Sequence, residues 1–517
     1  MKSFLNDWGL ILTIFLPLAG ALVTMVMPKE SEGPIKGLAL GTSLAAAVMG
    51  ALVMINFDYD RAGELQFVVD RSWIEIINSR FILGLDGLSL PLMALTLFIV
   101  PLVFIYSFGH LPEPGNPKAF FSLLLVLETG MIGSFLAQDL VLFFVFFEVV
   151  LLPMYFLIGV WGGPQRQYAS IKFFLYTLFG SSLMLVSFLA VYFLSKDPAT
   201  GEALRSFDMR LLSEIGGAGI ARTTAIVIFG GMFLGFGIKV PMFPFHTWLP
   251  DAHTQAPTAG SVILAAVLLK LGTYGFIRIA IPILPVGARW WAPVIGVLAA
   301  IGIIYGALGC LAQTDMKRLI AFSSVAHMGY VMLGIATLTD FGMNAAVFGM
   351  VAHGLITGML FFVAGSMKDR YHTLEIKRLG GLLVSAPKMG WILGFATMAS
   401  LGLPGLAGFW GEFPAILSAY SPAVGLNIAL FRTLMVVAAI GTVLAAGYLL
   451  WLYQRTAFGT PSEEFADDPH ITDVQPTEWI AWTPILVLIV VFGFFPGLIF
   501  DVSNPAVSAI AAVVGGN

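Results

Sequence analysis

Cysteine is almost missing: Cys310 is the only one in 517 residues. A disulfide-stapled secreted scaffold needs pairs, and cysteine-ligated iron–sulfur clusters or Cys-rich zinc sites need several thiolates, so all of these are excluded. Charge is scarce too. Asp, Glu, Lys and Arg make up 11% of the chain, less than half the share of about 25% in soluble domains. Net charge is −4 with no basic run, which argues against a nucleic-acid partner. No phosphate loop and no nucleophile–base constellation occurs. Gly235–Gly237 lacks both the preceding strand and the third glycine of a dinucleotide fingerprint. His246 and His253 stand seven apart with Pro250 between them and no third ligand nearby, so no metal is expected. The chain is not a chemical catalyst on its own.

What it has in abundance is apolar length. Hydrophobic residues are 58% of the sequence, and mean hydropathy is +0.91. A hydrocarbon core needs about 20 apolar residues per helix, and windows of that size predict about fourteen spans. They lie near 8–27, 35–56, 86–108, 119–137, 139–160, 167–195, 222–243, 258–281, 290–311, 319–338, 341–366, 385–420, 429–454 and 478–502. Runs such as Leu140–Phe147 are apolar on every face, unlike the alternating strands of a membrane barrel. The fold class expected is an all-α polytopic membrane protein. No A-x-A cleavage site follows the first apolar run, which should remain as a helix. Polar connections are short, the longest being 56–85, 196–221, 368–387 and 455–477. Lys317–Arg318 and Lys368–Lys388 favour a cytoplasmic side, which puts both termini on the other face.

An ionisable side chain at mid-membrane costs roughly 2.5–3.5 kcal/mol on insertion scales and marks a functional candidate. Glu148 sits in an all-apolar stretch. Lys239 follows the glycine-rich run 230–237 and precedes Pro241 and Pro244. Lys270 closes the stretch 262–269, and Glu412 lies in the Gly- and Pro-broken segment 401–413. Glu128, His327 and His353 complete the set, while Lys172 and Arg278 lie near enough to span ends to snorkel. The segments 235–244 and 402–414 interrupt runs that would otherwise span. Broken backbone at membrane depth lines hydrated cavities or lies buried in protein, and a pair of breaks points to an ion path between two structural repeats. Flanking spans are compatible with two five-helix units, near 119–281 and 290–454. These follow an N-terminal three-helix segment, 1–118, and precede a loop and C-terminal helix, 455–517. Gly231–Gly235, Gly302–Gly306 and Gly354–Gly358 are small-xxx-small pairs that allow close helix approach.

The stretch Lys239-Val-Pro-Met-Phe-Pro-Phe-His-Thr-Trp-Leu-Pro-Asp-Ala-His253, continuing through 254–264 to Leu268-Leu-Lys270-Leu-Gly-Thr-Tyr-Gly275, closely resembles the signature of the antiporter-like, proton-translocating subunits of respiratory complex I. Phe146-Phe-Glu148, Leu152-Pro-Met-Tyr155 and Gly159-Val-Trp-Gly-Gly163 are similar to the fifth helix of that family, and Leu401–Phe413 to its twelfth. Ala256-Pro-Thr-Ala-Gly-Ser261, with glutamate rather than lysine at 412, resembles its subunit M, or chain 4, branch. The resemblance covers essentially the whole chain. It implies fourteen helices with two inverted five-helix repeats and broken helices 7 and 12. It also implies a proton path: Glu148 and Lys239 as an input pair, Lys270 as the central lysine, His327 and His353 on a hydrated axis, and Glu412 at the exit; Glu128 is added to this path as an ionisable residue inside an apolar run.

The resemblance places NAD, FMN, iron–sulfur clusters and quinone in partner subunits, with no cofactor in this chain. It implies sister antiporter-like subunits as neighbours, H⁺ as the transported ion, and a bacterial inner membrane location with both termini periplasmic. Two other readings compete. One is a subunit of a Mrp-type multi-subunit cation/proton antiporter on the same scaffold; the other is a structural spacer whose charges serve assembly only.

Overall fold

The computed structural model describes residues 2–466 and 468–515. It is mostly helical, and helices α1 (Lys2–Val26), α2 (Glu32–Ile55), α3 (Leu90–Gly109), α4 (Pro117–Leu136), α5 (Leu140–Trp161) and α6 (Arg166–Leu194) come first. α7 is split into Arg222–Lys239 and Trp248–Gln255. After it come α8 (Thr258–Ile283), α9 (Pro285–Leu311), α10 (Met316–Ala336) and α11 (Asp340–Tyr371). α12 is split into Pro387–Ser400 and Ala407–Ser418. α13 (Ile428–Ala457), α14 (Pro476–Phe494) and α15 (Gly497–Gly515) close the chain.

Several helices restart after tight turns because a short polar side chain takes up their first free N–H groups. Asp139 accepts from Val141 and Leu142 at the start of α5 (2.9 and 3.1 Å). Asp315 accepts from the Arg318 N–H at α10 (2.8 Å), and Asn427 from the Leu430 N–H at α13 (3.1 Å).

Burial ranks the helices. The most apolar window of α11 is 100% buried, and those of α8 and α10 are 94%, against 28% for α2 and α13. α8, α10 and α11 therefore form the inner core, and the other helices expose apolar flanks of the kind lipid covers. Lys270 on α8, His327 on α10 and His353 on α11 are the ionisable side chains already singled out in the sequence, and all three are buried.

Two regions depart from the sequence expectation. The connection 56–85 is not a plain polar loop: Gln66–Ile74 (β1) pairs antiparallel with Ser79–Leu85 (β2), and Arg80 Nε donates to Asp70 Oδ1 at 2.7 Å across the hairpin. The C-terminal run, expected as one span near 478–502, is broken at Phe495–Pro496. Hydropathy read straight through this break, so the segment 455–517 holds two helices. The second, α15, is long and apolar enough to span, yet several of its contacts are with connections and helix starts on one face. Gly87 and Gly63, in the connection after α2, pack against Val502 and Pro505. Ser503 bonds Asn344 in the second turn of α11, and Arg289, in the second turn of α9, donates to the Val514 carbonyl at 2.6 Å. α15 runs along that face, and the two halves of α12 take its place as a crossing element.

A charged corner ties α3, α11 and α14 together. Arg370 grips Glu478 with two bonds of 2.8 Å and also donates to the carbonyls of Thr472 (2.6 Å) and Asp473 (3.1 Å). His110, just past α3, bonds Asp369 at 2.7 Å and stands 3.4 Å from Glu478. Burial disfavours the charged imidazole, but the carboxylates of Asp369 and Glu478 outweigh it and raise the His110 pKa to about 9. A histidine with a higher value folded than unfolded adds stability that is complete below the unfolded value, about 6.5, and is lost as pH climbs through the folded one. The thermal midpoint of wild type should therefore exceed that of His110→Gln at about pH 6, with the gap closing above about pH 9. A gap that does not change with pH would show that His110 stays neutral.

Candidate functional site

Lys270 lies between two wide turns of α8, at Leu264–Leu268 and Phe276–Ala280. Such π turns disturb the regular i→i−4 ladder. Here the Lys270 ammonium donates to the Ala265 carbonyl. It also bonds His353 Nδ1 on α11 at 2.7 Å. His353 Nε2 is buried and has no partner among the described residues. The rings of His353 and His327 stand 6.0 Å apart, centre to centre. His327 Nδ1 bonds Glu412 Oε1 at 2.6 Å, and its Nε2 lies 3.1 Å from the Ser400 hydroxyl and 3.4 Å from the Tyr448 hydroxyl. A small cavity lies among these groups, lined by His327, His353, Thr357, Ser400 and Glu412. Lys270, His353, His327 and Glu412 thus form one row through the buried core.

The break in α12 builds the Glu412 end. Gly402 and Gly405 turn the chain with φ of 72° and 91°, a region that costs L side chains but not glycine. Beyond the break, Gly411 lies directly on Gly349 of α11, where a Cβ would come within 2.6 Å of the Gly349 Cα. This backbone-to-backbone approach carries Glu412 to His327.

Lys239 and Glu148 occupy a separate place beside the α7 break. The chain leaves helical geometry after Lys239, and Trp248 Nε1 donates 2.9 Å to the Ile238 carbonyl that the break frees. The Lys239 ammonium is buried and faces the rings of Phe147 and Phe173, 4.8 and 6.0 Å from their centres. Aromatic faces attract a cation by their quadrupole. Glu148 lies within electrostatic range of Lys239, next to Ser181, but among the described residues the two form no direct ion pair. Small residues bring α6 and α7 together here, since a Cβ on Gly235 would meet Met184 and the Gly180 carbonyl.

Glu128 is not brought into this row. It is fully buried on α4, accepts from the Ser43 hydroxyl of α2 at 2.9 Å, and leaves its other oxygen without a protein partner. The two residues near span ends are ion-paired: Lys172 with Asp251 at 2.7 Å, and Arg278 with Asp86 at 2.5 Å. Sequence reasoning missed Ser400 and Tyr448, single hydroxyls in apolar helices with nothing local to distinguish them. It also passed over His253 as a working residue. His253 stacks on Phe361 with ring centres 4.4 Å apart, both its nitrogens are buried without partners, and Lys317 and Lys270 lie within electrostatic range. Its place in the signature beside the α7 break was the available signal.

Known proteins share both this sequence and this fold. The NADH:quinone oxidoreductase/Mrp antiporter transmembrane family matches residues 137–440, and the amino-terminal family of NADH-ubiquinone oxidoreductase chain 4 matches residues 65–133. The chain is 43% identical to NADH-quinone oxidoreductase subunit M of Rhodobacter capsulatus, over 96% of this chain and 94% of that one. It is 37% identical to NADH-ubiquinone oxidoreductase chain 4 of Marchantia polymorpha, over 96% and 95%. Among solved structures it resembles a chain of respiratory complex I from Thermus thermophilus, with a TM-score of 0.86 and 28% identity over 98% of this chain and all of that one. A chain of the Mrp complex from Dietzia shares the fold at a TM-score of 0.79 and 21% identity, over 98% and 99%. The protein belongs to the NADH:quinone oxidoreductase/Mrp antiporter transmembrane family.

Proposed function

We propose that this chain is a proton-translocating membrane-arm subunit of a bacterial respiratory complex I, and that its own contribution is proton transfer rather than redox chemistry. The observation that carries the reading is the row Lys270–His353–His327–Glu412, a series of proton-exchanging groups inside the best-buried helices. Neighbours in the row are hydrogen-bonded except His353 and His327. One water in the adjoining cavity would bridge that gap, with His353 Nε2 as a free partner.

Glu148 and Lys239 act as the input switch. A buried ammonium is costly to keep charged, and a nearby carboxylate offsets that cost. When Glu148 closes on Lys239 the proton is held; when the pair separates, Lys239 releases it toward Lys270. From there it passes through His353 and His327 to Glu412, the exit carrier. A tenfold change in proton affinity at any step corresponds to about 1.4 kcal/mol. The backbone breaks of α7 and α12 lie beside the first and last of these groups, where small motions can wet and dry the path.

The two breaks fit a pair of inverted five-helix repeats, 119–281 and 290–454, flanked by 1–118 and 455–517. Driving energy comes from partner subunits that hold NAD, FMN, iron–sulfur clusters and quinone, transmitted through sister antiporter-like neighbours. The protein sits in the bacterial inner membrane with both termini periplasmic. A Mrp-type antiporter subunit would use the same scaffold, but the identity to subunit M of Rhodobacter capsulatus and chain 4 of Marchantia polymorpha favours the complex I reading. Glu148→Gln keeps the shape and removes the charge. Inverted membrane vesicles of that variant should retain an assembled complex on a native gel and lose NADH-driven acidification. Full pumping by Glu148→Gln would overturn the scheme.

A further inference from the structure

We infer that Lys317 and His253 form a second entrance to the row, which refills Lys270 after it has passed its proton to His353. The inference rests on the proton path proposed above. His253, in the second half of α7, is completely buried, and both its ring nitrogens lack a partner among the described residues. Lys317 and Lys270 lie within electrostatic range of it. Its ring stacks on Phe361 of α11 with 10° between the planes. Phe361 is eight residues past His353, about 12 Å along the helix, toward the Lys368 end that faces the cytoplasm in the proposed orientation.

Lys317, in the first turn of α10, is buried as well. Its ammonium donates to the carbonyl of Ala256, three residues after His253, at 2.5 Å. A cation opposes the dipole at a helix N-terminus and suits a C-terminus, so the side chain leaves its own helix for the end of α7. Asp315, Asp369 and Lys368 lie within electrostatic range of Lys317, and Asp369 is half exposed. The two carboxylates give cytoplasmic protons a way to the lysine. Waters at the orphaned nitrogens of His253 satisfy buried groups that otherwise have no partner.

The transfer balances on the imidazole. One nitrogen takes a proton from the Lys317 ammonium, and the other gives its own to the Lys270 amine. The ring ends neutral, in its other tautomer, and Lys317 regains a proton from the cytoplasm. While Lys270 is still charged, a proton on His253 is repelled by both lysines. The branch therefore delivers only to an emptied Lys270.

The test measures NADH-driven acidification of inverted vesicles, whose outer face is the cytoplasmic one, per assembled complex on a native gel. Lys317→Arg keeps the charge and a donor for Ala256 but cannot release a proton. His253→Phe keeps a ring on Phe361 without a titratable group. Each should slow acidification by about tenfold, short of the 10²-fold or more of an obligatory proton-transfer group, because Lys239 still delivers protons. If the arginine variant does not assemble, His253→Phe decides alone. A wild-type rate in assembled Lys317→Arg makes Lys317 a fixed structural charge and overturns the inference, as does a wild-type rate in His253→Phe. Lys270→Met in the same assay tells the two failures apart. Full pumping by Lys270→Met removes the row itself, whereas lost pumping there beside wild-type rates in the other two variants removes only the entrance.

Discussion

Lys270→Met leaves the complex assembled and cuts proton pumping by at least about 10²-fold, the lower end of what a positioned proton-transfer group contributes. Lys270 is completely buried, and among the described residues its ammonium bonds the Ala265 carbonyl and His353. Methionine has nearly the same length and adapts to irregular cores. Replacing a costly buried charge with it therefore removes the proton carrier without opening a cavity, and the thermal midpoint should hold or rise. Dye-quenching assays of acidification in inverted vesicles, beside NADH:quinone turnover, read the loss, and native gels read assembly. Undiminished pumping in an assembled Lys270→Met complex would take the row Lys270–His353–His327–Glu412 out of the transport path and restore the structural-spacer reading. His353→Ala tests the same contact from α11 and should fall in the same direction.

Glu478→Ala has the largest expected effect on stability. Glu478 is fully buried and receives two bonds of 2.8 Å from Arg370. Removing it strands a buried guanidinium, a loss of about 3–5 kcal/mol. The corner joins α3, α11 and α14, so the predicted result is a sharply lowered level of assembled protein and a depressed thermal midpoint. Arg370→Met with Glu478→Leu removes both charges and should recover most of the loss, because an apolar pair of similar volume is often neutral or better than a buried ion pair. If Glu478→Ala proves as stable as wild type, water reaches the corner and supports Arg370. Proton pumping per assembled complex should hold in the double variant, since none of its groups lies in the Lys270 row.

The two results separate two uses of buried charge in one protein. At Arg370 and Glu478 the charges are paired, bidentate and bonded to further carbonyls, which holds them in place. At Lys239 and Lys270 the ammonium groups have no bonded carboxylate among the described residues and lean on aromatic rings, a carbonyl and a histidine.

Composition and apolar run length are properties of the chain itself, and they determined the solvent: with so little charge and so many long apolar runs, most of these segments have to cross a bilayer. The same one-dimensional reading picked out Glu148, Lys239, Lys270, His327, His353 and Glu412, because an ionisable residue inside an apolar run stands out without any knowledge of its neighbours. Glycine and proline inside apolar runs marked where α7 and α12 break, since both residues disrupt helical backbone locally. Which charges meet was a different matter. Lys270 and His353 are 83 positions apart, and His327 and Glu412 are 85 apart. Their contacts depend on how α8, α10, α11 and α12 cross. That crossing is set by close approaches such as Gly411 on Gly349, which hydropathy does not register.

For the same reason Glu128, an equally conspicuous acid, turned out to face Ser43 and stand outside the row, while Ser400 and Tyr448 joined it unannounced. The helix α15 has the length and hydropathy of a span. Its contacts with Gly63, Gly87, Asn344 and Arg289 place it along a face instead. Hydropathy measures whether a segment tolerates lipid; whether it crosses the bilayer is decided by the partners that packing gives its two ends.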